Sequence, residues 1–294
     1  MKKNINLITT IFFILCSILC SNITGKVGTE FLKLPSDAKG SALGETMVSA
    51  SSDMYALYWN PAGLAKLSKN NIGISYNKWI LDTYYLYTGG GLNLKKIGSL
   101  GLGVIFFSSG KIEGMEELNN YDLAIISGYG INFKSFNAGV SLKYIRKYIF
   151  EQTSEIFCSD LGLSKKFYKN KLNIGINIKN LEMFTSSQSL SSCIDLGFSY
   201  FNKASTDISF QFLSSLNIYI QNEKFFKFGF EIGIRDTIFF RFGYIFNIDE
   251  LFTNAFQNWR FGLGGKILSL SVNISYMPYN IFGECIQTSI EFAF

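Results

Sequence analysis

The sequence predicts an all-β chain, a 14-stranded antiparallel transmembrane β-barrel preceded by an N-terminal segment of different character. Three observations predict it. Apolar and polar residues alternate with period two from about residue 70 to the end. The links between alternating segments are short and long in turn, as in outer-membrane barrels. Aromatic residues reach 16% while charged residues stop at 17%, where a soluble chain usually carries nearer a quarter. Much of such a surface faces something other than water.

The chain opens on Lys2 and Lys3, then an apolar run over 5–20 and the small, polar residues of 21–25. This is the pattern of a secretory signal peptide, assigned to 1–24. The run is shorter than the ~20 residues a membrane helix needs. Without Lys2 and Lys3 the net charge is about +3, too small to argue for nucleic acid. Cys16 and Cys20 lie in the leader, each preceded by leucine (Leu15, Leu19), where lipidation would want a small residue. Cys158, Cys193 and Cys285 are odd in number and lack metal spacing, so at most one disulfide forms among them, and they read as small strand-end residues.

Residues 25–69 are mixed in period and rich in Ser, Ala and Gly. Ser36 and Asp37 stand where a cap would start a short helix over 36–49. Within 53–67 the residues Trp59, Asn60, Pro61, Ala62 and Gly63 form a stiff knot. Pro61 fixes its own φ and biases Asn60 away from the helical region. Asn60 bonds nearby backbone, and Gly63 accepts a left-handed conformation. The knot reads either as a turn before the first strand or as part of a segment inside the barrel, which has room for one.

The alternating segments over 70–294 fall near 70–80, 83–94, 98–108, 121–133, 136–148, 155–168 and 171–181. They continue near 193–202, 204–214, 224–235, 237–247, 257–267, 268–277 and 285–294. In 226–235, Phe226, Phe228, Phe230, Ile232 and Ile234 alternate with Lys227, Gly229, Glu231, Gly233 and Arg235, so one face is apolar and the other polar. A soluble sandwich also alternates, but its outer face is rich in Lys and Glu. Here the polar face is mostly Ser, Asn and Gly, which suits a lumen. Longer links are expected near 109–120, 149–154, 182–192, 215–223, 248–256 and 278–284. The chain closes on an apolar strand ending in Phe294.

Histidine is absent. That excludes Ser/His hydrolysis and a His metal site, so no enzyme, metal or cofactor is expected. Gly101–Gly103 and Gly262–Gly265 lie inside strands rather than strand–turn–helix units, and read as close-packing glycines rather than nucleotide loops. Lys227, Glu231, Arg235, Arg241 and Arg260 fall on the polar faces of neighbouring strands. They read either as a network bracing the lumen or as a ligand-binding cluster for a carboxylate.

The stretch 28–67 also resembles the N-terminal segment of FadL-like outer-membrane proteins, within them the PorV/PorQ and UPF0164 branch. The resemblance rests on Phe31-Leu32-Lys33, Ala38 to Gly44, Asp53 and Tyr58-Trp59-Asn60-Pro61-Ala62-Gly63, with Trp79 and Asp82 in the first strand pair. It implies a 14-stranded barrel whose 25–69 segment is a hatch on the periplasmic side. It also implies uptake of long-chain fatty acids or other small hydrophobic molecules. The PorV/PorQ branch implies instead a secretion-associated barrel that binds exported proteins, and a surface antigen without transport is a third reading. The partners expected are outer-membrane lipid, the barrel assembly machinery, a small hydrophobic ligand or a secretion partner protein, with no nucleic acid.

Overall fold

In the computed structural model the alternating segments form fourteen strands that close on themselves. Residues 28–80, 83–108, 120–149, 152–168, 170–183, 190–249, 258–279 and 283–294 are described. The leader read over 1–24, with Cys16 and Cys20, and the Leu81–Asp82 turn lie outside them. The strands are β1 (Asn71–Lys78), β2 (Tyr84–Asn93), β3 (Ser99–Ser108), β4 (Tyr121–Phe133) and β5 (Phe136–Ile149). Next come β6 (Gln152–Phe167), β7 (Leu172–Glu182), β8 (Cys193–Lys203), β9 (Ile208–Tyr219) and β10 (Lys224–Ile234). The last are β11 (Ile238–Asn247), β12 (Trp259–Ile267), β13 (Leu270–Pro278) and β14 (Glu284–Ala293). Each strand pairs antiparallel with its sequence neighbours, and β1 closes on β14 in a register that sets Ser75 opposite Ser289. Closure leaves no sheet edge with unpaired backbone groups, the condition for a sheet in hydrocarbon.

Burial runs opposite to that of a soluble protein. On β1 and β14 the apolar Ile74 and Ile290 are 46% and 42% exposed, while the polar Ser75 and Ser289 are 1% exposed. The same inversion holds along β10, where Phe228 and Phe230 face out and Lys227 and Glu231 are buried. An outer face of Phe, Ile and Leu is stable only against an apolar medium.

The strand boundaries depart from the sequence reading where polarity and strand end do not coincide. β9 runs to Tyr219 rather than stopping at 214, because Leu216 and Ile218 keep the outward alternation while Ser215 and Asn217 keep the inward one. The polar stretch 152–154, expected as a loop, is the start of β6, paired with the end of β5. The expected helix over 36–49 is one turn, Ala38–Ala42, capped by Asp37, whose carboxylate accepts from Gly40 N at 2.9 Å. Gly44 and Glu45 take positive φ (64° and 63°) and end it early. Cys158, Cys193 and Cys285 are buried free thiols, and Cys158 sits well inside β6 rather than at a strand end.

Residues 28–69 lie inside the barrel. The turn Ala38–Ala42 packs on β11 to β14, and a 3-10 segment, Pro61–Lys66, packs on β3 to β6. One apolar cluster joins Leu57, Trp59 and Leu64 of this segment to Ile105, Ala124, Ile126 and Ile145 of the wall.

Candidate functional site

The knot is where the internal segment is most firmly tied. A short helix, Ala56–Trp59, ends at Asn60, whose extended backbone (φ −167°) leads into Pro61 at the first position of the 3-10 segment. Proline is preorganised there and its missing N–H would be unpaired anyway. The Asn60 side chain caps that segment, accepting from Ala62 N at 3.0 Å, and its amide donates to Val48 O at 2.7 Å. The same amide lies 3.2 Å from Leu163 O on β6 and 3.4 Å from Ile176 O on β7. Asn177 of β7 answers by donating to Trp59 O at 3.0 Å. One buried side chain thus ties three stretches of the internal segment to two strands.

Trp59 extends the tie in the other direction. Its indole N–H donates to Asp37 Oδ1 at 2.6 Å, and its ring lies against Gly40, where any Cβ would collide with it. Asp37 therefore serves both the 38–42 turn and the knot. The Lys179 ammonium sits 5.0 Å from the Tyr58 ring and 5.3 Å from the Trp59 ring, while pairing with Asp195 at 3.2 Å. Sequence reasoning missed Asp37 as a partner of Trp59, because the two are 22 positions apart and nothing local links them.

The wall meets this segment with glycines. A Cβ on Gly139 would strike the Pro61–Ala62 backbone, and one on Gly162 would strike the Asn60 amide oxygen. On Gly130 it would come within 2.6 Å of Ala65 N, and on Gly229 within 2.5 Å of Leu43 O. Gly101 and Gly103 pack on Leu57 and Leu64, and Gly262 on Ala42, as their reading as close-packing glycines expects. Gly265 is an exception, with nothing near. The signal for this contact was present in the sequence as glycines on the polar, inward phase of most strands, β9, β13 and β14 excepted.

The proposed charged cluster is not one site. Lys227 pairs with Glu45 of the internal segment at 2.8 Å. Glu231 pairs with Arg241 at 2.6 Å, and Arg241 also donates to Asn273 Oδ1 at 2.9 Å. Arg260 donates to Trp259 O at 2.9 Å and stacks its guanidinium 5.2 Å from the Tyr279 ring. Between these groups Leu43 and Gly44 press on Gly229 and Gly243, so Lys227 and Glu231 stand on opposite sides of that contact. Arg235 does not face the lumen. β10 ends at Ile234, and Arg235 and Asp236 form a two-residue turn with φ of 52° and 53°, the geometry favoured by tight hairpins. Arg235 is exposed there and pairs with Asp207 at 3.2 Å. Alternation was carried one residue past the strand end.

At the short-turn end, a polar cavity of about 400 Å³ separates the internal segment from β11 to β14 and β1. Asp53, Glu231 and Glu291 line it together with Lys39, Arg241 and Lys266. Burial, helped by the negative charge of Glu291 and opposed by Lys39, pushes the Asp53 carboxyl up to about 7. Lys66, whose ammonium donates to Ser49 O (3.0 Å) and Ser51 O (3.3 Å), is brought down to about 7 by burial and by nearby Lys166. Toward the other end, Asn77, Tyr85 OH, Ser275 Oγ and Gln287 Oε1 are buried without a hydrogen-bond partner. They fall on adjacent strands β13, β14, β1 and β2, with Asn77 opposite both Gln287 and Tyr85.

No protein-family model matches the chain, and no curated protein matches it in sequence. Solved structures match it in shape. A Pseudomonas aeruginosa FadL homologue superposes with a TM-score of 0.61 at 9% identity, covering 92% of this chain and 100% of that one. The Ralstonia pickettii toluene transporter TbuX gives 0.58 at 10% identity, with 88% and 98% covered. The Pseudomonas putida toluene transporter TodX gives 0.53 at 12% identity, with 87% and 96% covered. The chain therefore has a FadL-like fold.

Proposed function

We propose that the chain, exported through the 1–24 leader, resides in the outer membrane and admits small hydrophobic molecules, long-chain fatty acids among them. In this reading residues 25–69 are the hatch, held in place by the Trp59–Gly63 knot. The observation that carries it is a lumen filled by its own N-terminal segment, in a barrel shaped like a FadL homologue and two toluene transporters. An open, water-filled pore would leak polar solutes. A barrel closed by a segment that rests on glycines and hydrogen bonds admits a ligand only when that segment shifts. The lumenal charges serve as braces, since Lys227 and Arg241 each already hold a carboxylate.

The same filled lumen suits a second reading, the PorV/PorQ-like one, in which the barrel never conducts and binds an exported protein through its long loops. Uptake by proteoliposomes separates the two. Saturable entry of a radiolabelled long-chain fatty acid or of toluene, above that of protein-free vesicles, supports transport. Entry no faster than in protein-free vesicles, with a secreted protein retained on gentle extraction, replaces transport with the second reading.

A further inference from the structure

The two ends of the barrel differ in charge. The short turns from β2 to β11 at this end each carry or adjoin a cation: Lys95, Lys134, Lys171, Lys203 and Arg235. Lys96, Lys165 and Lys166 add exposed charge on the same rim. The acids described there are few. Asp236 pairs with Lys203 at 2.7 Å and Asp207 pairs with Arg235, both on the open surface, where such pairs hold little energy. At the opposite end, among the described residues, the exposed acids Glu155, Glu182, Asp249 and Glu284 stand against Lys78, Arg146 and Lys224.

We propose that the short-turn rim is a recognition surface for anionic phospholipid headgroups. The inference rests on the reading of the barrel as membrane-spanning, and it adds a lipid class and a face. Two features favour lipid over an acidic protein. The cations recur at turn after turn from β2 to β11, at a spacing of about 10 Å, so the charge is spread as separate sites of headgroup size rather than gathered into the single patch a folded partner would engage. The cations also alternate with exposed apolar side chains: Ile97 is 68% exposed, Tyr168 76%, Ile267 70% and Leu268 93%. That mixture suits the boundary between headgroup and acyl chain, where a lysine lays its stem on apolar surface and lifts its charge outward. Lys165 shows the arrangement, its ammonium 5.0 Å from the outward Phe167 ring. A free anion such as phosphate would meet the cations but leave the apolar groups uncovered.

The test uses the full-length protein in vesicles of equimolar phosphatidylcholine and phosphatidylglycerol, followed by gentle extraction and native mass spectrometry of the retained lipids. Phosphatidylglycerol is expected to be enriched, by about fivefold for each lysine engaged. A K95Q/K96Q/K134Q/K166Q variant should lose the enrichment, and a K78Q/R146Q/K224Q variant at the other end should keep it. Heat-dependent gel migration verifies that each variant is a folded barrel. Equal retention of both lipids by the unmodified protein overturns the proposal, whether or not an acidic polypeptide is retained instead. So does equal loss in both variants, or displacement of the lipid by inorganic phosphate at matched concentration. Failure of the chain to insert into any vesicle defeats the membrane reading and the proposal together.

Discussion

The internal segment meets the wall on two unlike flanks. Against β3 to β7 it is close and knotted: Leu57 and Leu64 sit in the apolar cluster, Asn60 to Ala62 rest directly on Gly139 and Gly162, and Asn60 and Asn177 bond across the contact. Against β11 to β14 and β1, close contact of Gly44 on Gly243 and of Ala42 on Gly262 stands beside polar bonds and a cavity. Ala38 N donates to Ser289 Oγ at 3.3 Å, Gln287 donates to Pro35 O at 2.9 Å, and a cavity opens beside Asp53. Close-packed interiors resist displacement because every contact is lost at once. A seam of hydrogen bonds beside a cavity exchanges its bonds for water at small cost. On the proposed reading, a path for a ligand would open along the flank that holds the cavity, with the knot as the fixed side.

Four changes would break or sharpen that contrast. The largest effect is expected from Gly139→Val, which drives a side chain into the Pro61 backbone. Overpacking of this kind costs roughly 1–3 kcal/mol or more, and the 57–67 region should lose protection from proteolysis in the intact barrel. Asn60→Ala comes next, since it removes the cap on Ala62 N and leaves Val48 O without its donor. A loss of about 1–3 kcal/mol should appear as a lower thermal midpoint and as leakage of small polar solutes from proteoliposomes.

The third concerns pH. Asp53 binds its proton more tightly when the segment is seated than when it is free, so seating weakens as pH rises from about 4 toward 7. Lys66 binds its proton less tightly when seated, so seating strengthens as pH rises from about 7 toward 10. The two signs together predict that the segment is most labile near neutrality. Solute leakage measured across pH should show a maximum there, and Asp53→Asn should flatten its acid side. The smallest effect is expected from Ser275→Ala. Its hydroxyl is buried without a partner, so removing it should leave stability unchanged or slightly raised. A clear loss would mean that the polar flank is bonded after all.

Much of this was legible in the sequence, and the limits follow from particular residues. Period-two alternation located all the strands because the outward residues must be apolar at every second position, as Phe226 to Ile234 illustrate. It failed at strand ends. Arg235 continues the alternation but belongs to a turn, and the polar 152–154 stretch is strand because both hairpin arms continue there. The knot was visible as a local cluster of Trp59 to Gly63. Its meaning was not, since a glycine such as Gly162 shows that something comes close without showing what. The partners of Asn60 lie more than a hundred positions away on β6 and β7, and the link from Asp37 to Trp59 has no local signature.

The most direct test is hydrogen exchange, read by mass spectrometry on the membrane-embedded protein, comparing the 35–44 and 57–67 stretches. The account predicts that 35–44 exchanges first and that 57–67 stays protected until the barrel itself opens. Equal exchange of the two, or earlier exchange of 57–67, would contradict a segment hinged on the knot and released along the polar flank.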